Sequence, residues 1–385
     1  MNALVTIDHH FFKTKDGKVW CRTIHNQQFW ERYTSVYDKI FVLCRLKENT
    51  EYKDVENFLL SSCENVEFLS VPDFTGPIEY IKKNMKIKKE IKQKLSGIGR
   101  FIPIFRLPST LGFLAYDILK KENLDYGVEV VANPITAYAK KNSLFHFFLK
   151  KYYTKKLKEA CKNAKGVAYV TEFHLQKYFP TTGFSTNYSS IDLDSSFFFK
   201  REKFNKEKLT FIHVSNIHSE KKGHRTLLKA LGKLNNEGYD FECFIIGNGR
   251  KLEEFKQLSI DLHLKEKVFF VGELSEKEEI KSYLKKSDVL VFPSESEGLP
   301  RAIIEAMACS LAVISSPVDG IPELINKDFL KDFNNYEEYS KLLKLFSDDR
   351  RLLESESLRN FKKAKEYSID KLSIKRKIFY ENLTK

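Results

Sequence analysis

Hydrophobic residues along this chain of 385 residues occur either in short unbroken runs or at helical spacing. A short apolar run is typical of a strand buried on both faces, and helical spacing gives a helix one buried face. In the first half the predicted strands are Ala3–Asp8, Ile40–Arg45, Val66–Val71, Phe101–Arg106, Val128–Ala132 and Gly166–Thr171. In the second half they are Thr210–Ser215, Phe241–Ile246, Val268–Val271, Val289–Phe292 and Leu311–Ser315. Helical patterns lie between most of them, so each half predicts a doubly wound parallel sheet.

The strand Val289–Phe292 is followed by a tight loop and then by a helical pattern, with Pro300 expected at the first helical position. The amides of Gly298 and Leu299 would then lie at the mouth of this helix. Unpaired N–H groups and a partial positive charge make a helix mouth attractive to phosphate. The sequence therefore predicts an anion site here.

Two carboxylates bracket this anion site, Glu297 before it and Glu305 within the helix. A carboxylate would repel phosphate, but it accepts hydrogen bonds from sugar hydroxyls. The pattern therefore suits a nucleotide sugar, in which hydroxyls flank a diphosphate. From spacing alone, two solvated glutamates on a loop and a helix surface are an equal alternative.

The residues around this pair, EGLPRAIIEAMA, resemble the E-x7-E signature of family 4 glycosyltransferases, which are retaining enzymes of the GT-B fold. The resemblance implies an α/β architecture with two Rossmann-like doubly wound domains facing a central cleft. We expect an acceptor-binding domain at residues 1–195, a nucleotide-sugar domain at 196–371, and a last helix at 372–385 that crosses back to the first domain. The resemblance also implies that Glu305 holds the ribose and that Glu297 acts on the transferred sugar.

The resemblance extends to other loops of the second half. In HVSNIHSEKKGH, Lys222 resembles the phosphate-binding lysine of the family, and Asn216 stands where many members carry arginine. Lys222 is therefore expected to be catalytic together with Glu297. The remaining donor-binding candidates are Gly298, Leu299, Pro300, Gly247, Gly249, Gly272, Glu273 and Leu274, as well as Asn216 and Glu305. The D-x-D at Asp192–Asp194 lies in the linker, so we expect no metal site there and no cofactor.

Acceptor-side candidates follow two predicted strands of the first half. Asp8 ends the first predicted strand and His9 and His10 follow it, at the end of the sheet where ligands bind, although a polar turn explains them equally well. Arg106 ends another strand and could meet a phosphate or an acidic sugar, or form a structural ion pair. The segments FRLPSTLG and YGVEVVANP resemble family 4 enzymes that build bacterial surface polysaccharides. This implies a lipid-linked saccharide acceptor on the path to O-antigen or capsule.

The formal charge of +13 is concentrated in the first 200 residues, which hold 31 Lys and Arg against 21 Asp and Glu. Residues 78–98 form a basic amphipathic pattern with seven lysines, and residues 144–158 mix aromatic rings with lysines. Both suit an anionic inner membrane surface, and both could equally be ordinary helices with lysines in water. No nucleic-acid motif is present.

Other features favour a cytoplasmic protein that is peripheral to the membrane. No run approaches the roughly 20 apolar residues that span a bilayer, and the first residues lack the pattern of a signal peptide. The six cysteines are scattered, as is typical of reduced thiols.

The sequence thus predicts a hexosyltransferase that uses a nucleotide sugar, with UDP favoured over GDP, and that needs no metal. A non-catalytic sugar-binding or scaffold subunit is the alternative, because Asn216 departs from the family and YGVEVVANP lacks an acceptor-side histidine. A nicotinamide dehydrogenase is disfavoured, since neither half has G-x-G-x-x-G after its first strand.

Overall fold

A computed structural model describes the chain except for residues 23, 75, 138–143, 203, 205–207 and 275, and except for the side chains of residues 76–78, 81 and 145. The chain divides into two compact units. The first consists of Met1–Val170, Leu175–Tyr188 and Ser373–Lys385, and the second of Thr171–His174 and Ser189–Leu372. None of the described helices is long and apolar enough to cross a membrane.

The first unit is built on a mixed sheet whose central strands are parallel. Its strands are β1 (Asn2–Thr14), β2 (Val19–Cys21), β3 (Ile40–Thr50), β4 (Leu59–Leu60), β5 (Val66–Val71), β6 (Phe101–Leu107), β7 (Gly127–Val130), β8 (Gly166–Tyr169) and β9 (Phe184–Asn187). Their order is β4-β2-β1-β6-β7-β8-β9, and β3 pairs with β1 and β5. The buried apolar runs of the sequence form the parallel part, because strands covered on both faces must be apolar throughout.

The first strand extends beyond its predicted end at Asp8. Residues 9–14 continue β1, and a turn at Asp16–Gly17 leads into β2, which pairs antiparallel with β1. A shift in the register between β1 and β3 lies between Ile7 and His10. The interpretation of His9 and His10 as loop residues is therefore wrong, because Asp-Gly favours a hairpin turn and lets the strand continue.

One face of this sheet is covered by a layer that includes α2 (Gly76–Leu95), α3 (Thr110–Leu119) and α5 (Leu144–Lys162). Buried side chains from all three helices share one core with β1, β3, β5, β6, β7 and β8. The other helices with residues in this unit are α1 (Gln27–Thr34), α4 (Pro134–Ala137), α6 (His174–Tyr178) and α13 (Ile369–Thr384). The two lysine-rich helices of the sequence, α2 and α5, therefore lie on the same side of the sheet.

The second unit is a parallel sheet of β10 (Leu209–Val214), β11 (Phe241–Ile246), β12 (Val268–Gly272), β13 (Val289–Phe292) and β14 (Ala312–Ser315). The order β12-β11-β10-β13-β14 changes direction between β10 and β13. The helices of this unit include α7 (His224–Asn236), α8 (Leu252–Asp261), α9 (Lys277–Lys286), α10 (Arg301–Ala308), α11 (Tyr336–Asp348) and α12 (Arg350–Ala364). Ligands of such sheets bind at the carboxyl ends of the strands, next to the point where the order reverses.

Candidate active site

The predicted strand, loop and helix are present as β13 and α10, with one shift at the helix start. Pro300 has extended backbone angles and precedes the helix, which begins at Arg301, so the expectation of Pro300 at the first helical position is wrong by one residue. A proline at this boundary position needs no hydrogen-bond donor, so either place satisfies its chemistry. Gly298 and Leu299 precede Pro300 in the loop that leads to this start, and their binding of an anion stays a prediction.

The structure brings the two predicted catalytic side chains into contact. The Lys222 Nζ lies 2.5 Å from the Glu297 Oε1, and the Ser294 hydroxyl donates to the same oxygen at 2.6 Å. The two charged side chains are 22% and 11% exposed, so the pair is shielded but reachable from solvent. A negatively charged ligand group could replace Glu297 beside Lys222, and a positively charged one could replace Lys222 beside Glu297.

Gly223 explains how Lys222 reaches this position. Its φ of +77° lies in the left-handed region, and a Cβ at this residue would meet the Pro293 carbonyl oxygen at 1.8 Å. Only glycine allows so close an approach at this backbone angle. The loop that follows β10 is thereby pressed against the end of β13, where the Glu295 N–H donates to the Lys221 carbonyl at 2.8 Å.

Asp319 fixes the backbone of Glu297, and it was not among the predicted site residues. Its buried carboxylate accepts a hydrogen bond from the Glu297 N–H at 3.1 Å, and its second oxygen lies 3.4 Å from the His174 Nε2. Glu323 holds the segment of His174 by accepting from three successive backbone N–H groups, those of Glu172, Phe173 and His174. The run of residues 319–323, DGIPE, resembles the G-G-x-P-E run of family 4 glycosyltransferases and is a usable signal for Asp319 and Glu323, whereas His174 lies in no motif.

Glu305 lies on α10 in a half-buried position. Burial raises the pKa of its carboxyl group, and the positive charges of Arg301 and Lys277 partly oppose this shift. A carboxylate in such a place gains from polar hydrogens that replace lost water. Hydroxyls of a ligand would supply such hydrogens, and the contact of Glu305 with a ribose stays a prediction.

The remaining donor candidates gather at the carboxyl ends of neighbouring strands. Asn216 follows β10 and is exposed, Gly247 follows β11, and Gly272 ends β12. The Gly247 N–H donates to the Gly272 carbonyl at 2.7 Å, and a Cβ on Gly247 would meet the Ser215 carbonyl oxygen at 1.9 Å. These loops therefore pack directly on one another.

Three further candidates from the same loops complete the set. Gly249 lies in the loop after β11, where the Asn248 carbonyl accepts from the Ile217 N–H at 2.9 Å. Glu273 and Leu274 follow β12, with Glu273 exposed and Leu274 half-buried. Their contact with a nucleotide base stays a prediction.

In the first unit, Asp8 and Arg106 are already engaged within the protein. The Asp8 carboxylate accepts from the Thr110 N–H at 2.8 Å at the start of α3, and it pairs with the Arg45 Nε at 3.1 Å. Arg106 forms an ion pair with Glu129, the residue opposite it on β7. The structural alternative for Arg106, an internal ion pair, is thus present.

His9 and His10 lie near each other on β1 but have different surroundings. The His9 ring lies 4.7 Å from that of His25. Burial of the imidazole by neighbouring protein atoms lowers the pKa of His9 to about 4, and the positive charge of Arg106 lowers it further. The residue as a whole is nevertheless exposed. The His10 Nδ1 lies 3.1 Å from the Asp73 carboxylate. A role for either histidine toward an acceptor stays a prediction.

The chain is similar to known proteins in sequence and in fold. Residues 194–366 match the family model described as "Glycosyl transferases group 1". The chain is 28% identical over 384 residues to Protein CapJ of Staphylococcus aureus, covering 98% of this chain and 94% of that protein. Residues 194–366, which the family model matches, include Lys222, Glu297, Glu305 and Asp319 but not the segment of His174.

This protein is a glycosyltransferase. Its fold is similar to that of sucrose-phosphate synthase from Thermosynechococcus elongatus, with a TM-score of 0.77 at 13% identity, covering 100% of this chain and 99% of that chain. It is also similar to Anabaena HepE in complex with UDP and glucose, with a TM-score of 0.68 at 14% identity and 99% of both chains covered. The predicted GT-B fold class is confirmed, with two α/β units in this glycosyltransferase.

Proposed function

We propose that this glycosyltransferase is a retaining family 4 enzyme that moves a hexose from a nucleotide sugar, UDP rather than GDP, to a lipid-linked saccharide in surface polysaccharide synthesis. The observation that carries the proposal is the contact of Lys222 with Glu297 beside the start of α10. The complex of HepE with UDP and glucose supports UDP and a hexose. The polysaccharide class rests on the resemblance of the segments FRLPSTLG and YGVEVVANP.

The charges of this pair suit the breaking of a sugar–phosphate bond. A bound diphosphate would take the place of Glu297 as the partner of Lys222, which frees Glu297 to accept from a sugar hydroxyl. When the bond between the anomeric carbon and the phosphate oxygen breaks, its electron pair goes to the diphosphate. The Lys222 ammonium and the amides before α10 oppose the charge that develops there.

The acceptor then supplies both the new bond and a proton. Its hydroxyl oxygen attacks the anomeric carbon on the face that the diphosphate leaves, and its proton goes to the leaving phosphate oxygen. The configuration is thereby retained. Glu305 would hold the ribose of the nucleotide, and no divalent cation is needed where an ammonium and oriented amides offset the charge.

Product analysis after transfer in excess EDTA tests this proposal. We expect a UDP-hexose to be consumed at the same rate with and without the chelator, and the product to keep the anomeric coupling of the donor in proton NMR. Activity that is lost on chelation and restored by magnesium or manganese would overturn the metal-free mechanism. An inverted anomeric coupling would overturn the assignment as a retaining enzyme.

We further propose that the enzyme works at the cytoplasmic face of an anionic membrane, through α2 and α5. Leu144, Phe148 and Tyr152 are 79%, 65% and 51% exposed, and they recur at every fourth residue along α5. An exposed apolar stripe flanked by lysines suits the headgroup boundary of a bilayer. The apolar residues Ile87, Ile91 and Leu95 of α2 are buried, so α2 contributes mainly charge.

Flotation with vesicles tests the membrane proposal. Wild-type protein should float with vesicles rich in phosphatidylglycerol at low salt. Flotation should be lost when the exposed α2 lysines are changed to glutamate, at Lys82, Lys86, Lys89 and Lys92. A control with the same charge change in the second unit, at Lys341, Lys362, Lys365 and Lys371, should still float. Equal loss in both variants, or no flotation of the wild type, would contradict the proposal.

A further inference from the structure

Two buried histidines lie side by side behind the loop that carries Lys222. His213 is on β10, and His224 is the first residue of α7; neither side chain reaches solvent. Their ring centroids are 4.5 Å apart. The His213 ring stacks on Phe292 at 5.5 Å, and the His224 ring stacks on Phe255 at 5.0 Å, so both rings are held in fixed orientations.

The contacts of these rings define one direction of hydrogen bonding. The Val291 carbonyl can only accept, so the His213 Nδ1, 2.7 Å away, carries a proton. A neutral imidazole has one N–H, so the His213 Nε2 accepts from the Ser215 hydroxyl at 2.8 Å. That hydroxyl has no second proton, so in its 3.4 Å contact with the His224 Nε2 it is the ring that donates. The chain runs from His224 through Ser215 and His213 to Val291.

Both rings are neutral, as this chain of bonds requires. Burial lowers the pKa of His213 to about 4, and the positive charge of Lys222 adds to the effect. Burial, the neighbouring His213 and Lys222 lower the pKa of His224 to about 2. The position of His224 at the start of α7 acts in the same sense, because the positive end of a helix opposes a cation.

The hydrogen-bond chain holds both ends of the loop that contains Asn216 and Lys222, the candidate residues for binding the sugar donor. Ser215 immediately precedes Asn216, and His224 follows Lys222 and Gly223. Both ends are thereby connected to Val291 of β13, the strand that leads to Glu297. We propose that His213, Ser215 and His224 are positioning residues, whose hydrogen-bond chain sets Asn216 and Lys222 at the distance the donor diphosphate requires. The inference rests on the proposed role of Lys222 in holding that diphosphate.

The His224 Nδ1 adds an argument for function over stability. It is buried, and the described residues offer it no hydrogen-bond partner. A buried acceptor without a partner is destabilising, so an apolar side chain of similar size would be tolerated at this place if packing were its only task. A His224→Leu variant should therefore fold as well as the wild type and still bind the donor less well.

Nucleotide binding, with a conservative replacement as rescue, tests the inference. The probe is UDP, or GDP if only GDP binds, titrated by calorimetry into wild-type protein and into three variants. We expect Ser215→Ala and His224→Leu to weaken binding about tenfold. His224→Gln should stay within about twofold of the wild type, because its amide N–H can replace the Nε2–H toward Ser215. Lys222→Ala serves as the reference for complete loss of the ammonium.

The outcomes separate the two proposals. If the wild type binds nucleotide and Lys222→Ala weakens binding, but Ser215→Ala and His224→Leu bind as the wild type does, the positioning role is wrong. If Lys222→Ala also binds as the wild type does, the proposed function fails, and the inference that depends on it fails too. Nitrogen-15 imidazole NMR gives a readout independent of binding: His213 should be the Nδ1–H tautomer and His224 the Nε2–H tautomer. The opposite tautomer at either ring would overturn the hydrogen-bond chain.

Discussion

Each unit of this glycosyltransferase holds a cation–glutamate pair near the carboxyl ends of its strands, and the two pairs differ in what surrounds them. Arg106 and Glu129 are 12% and 3% exposed, and the tyrosine hydroxyls of Tyr33, Tyr188 and Tyr380 also donate to Glu129. Lys222 and Glu297 lie on loops, are more exposed, and have the Ser294 hydroxyl as a further partner of Glu297. We call the Arg106–Glu129 pair closed, because protein groups surround both charges. We call the Lys222–Glu297 pair exchangeable, because its charges are accessible to a ligand.

The number of protein partners around each carboxylate gives a criterion for separating an ion pair that stabilises the fold from one that is available to a ligand. Burial raises the pKa of Glu129, but Arg106 and the hydroxyls of Tyr380 and Tyr188 more than offset it, so the net shift is downward. Every strong interaction of that carboxylate is made within its own unit. Lys222 and Glu297 have fewer such partners. In the proposed mechanism a diphosphate replaces Glu297 beside Lys222, and a sugar hydroxyl replaces Lys222 beside Glu297.

The largest effect should be on stability, from removal of the cation of the closed pair. Arg106→Leu leaves the Glu129 carboxylate buried without its ion-pair partner, which should cost about 3–5 kcal/mol of unfolding free energy. Denaturant unfolding of the variant measures this. Lys165→Leu, which removes an exposed partner of Asp125, is the control and should cost less than about 1 kcal/mol.

A double variant then separates the buried charge from the packing. Arg106→Leu with Glu129→Leu removes both charges, so it should be more stable than Arg106→Leu alone. If the double variant is less stable than the single one, packing and the tyrosine hydroxyls hold this region together, and the description as a closed ion pair is wrong.

The next largest effect should be on catalysis, from removal of the exchangeable cation. Lys222→Ala should lower kcat about 100-fold, the size expected when a group that stabilises developing negative charge is lost. Lys222→Arg should recover part of the rate, and Lys221→Ala, the neighbouring lysine, should change it less than twofold. Initial rates with a UDP-hexose measure all three. Equal losses in Lys221→Ala and Lys222→Ala would remove the distinction between the two lysines.

Glu305 should have an intermediate effect, limited to the donor. Removing a charged hydrogen-bond acceptor typically costs about 1.5–3 kcal/mol, so Glu305→Ala should bind UDP roughly 10- to 100-fold more weakly. Glu295→Ala, a glutamate of the loop before α10, is the control and should bind normally. Calorimetry gives both affinities. An unchanged affinity in Glu305→Ala would show that its half-buried carboxylate does not contact the ribose.

Features that depend on neighbouring residues in the sequence could be predicted, and features that depend on distant residues could not. The strands Val66–Val71, Phe241–Ile246 and Val289–Phe292 have the predicted bounds, because an apolar run between breakers is a local signal. The loops after β10, β11 and β12 could be placed together from strand topology alone. Lys222 and Glu297 could be identified because both lie in motifs.

Partners that are remote in sequence could not be predicted. Glu129 lies in a short apolar run that predicts only a buried strand, and its tyrosine partners come from three distant segments. The chain from His224 to Val291 depends on β13 being the neighbour of β10 in the sheet and on the position of α7, and neither is a local signal. The Asp16–Gly17 pair is a local signal for a hairpin turn, and only with that signal do His9 and His10 fall within a strand.

A smaller effect should appear in the dependence of stability on pH. His213 and His224 have pKa values of about 4 and about 2 in the folded protein, against about 6.5 when unfolded. Between pH 6.5 and 4 the unfolded chain binds protons that the folded one does not, so stability is present above pH 6.5 and is lost as pH falls. Each histidine should contribute roughly 1 kcal/mol per pH unit.

The comparison of wild type with His224→Leu isolates this contribution from other titrating groups. The variant lacks one of the two rings, so its unfolding free energy should fall less steeply between pH 6.5 and pH 4.5. Denaturant unfolding at several pH values gives both slopes. Identical slopes would mean that His224 is protonated in the folded protein, which contradicts its place as a neutral donor to Ser215.

The smallest effect should be on the stability of the exchangeable pair itself. Lys222→Met keeps most of the side-chain volume and should change the unfolding free energy by less than about 1 kcal/mol, because Glu297 keeps the Ser294 hydroxyl and access to water. Addition of UDP should then distinguish the proteins: it should raise the melting temperature of the wild type more than that of the variant, since a ligand stabilises only as far as it binds. If Lys222→Met instead loses as much stability as Arg106→Leu, the pair is as structural as the one in the first unit. The contrast between a closed and an exchangeable ion pair would then be lost.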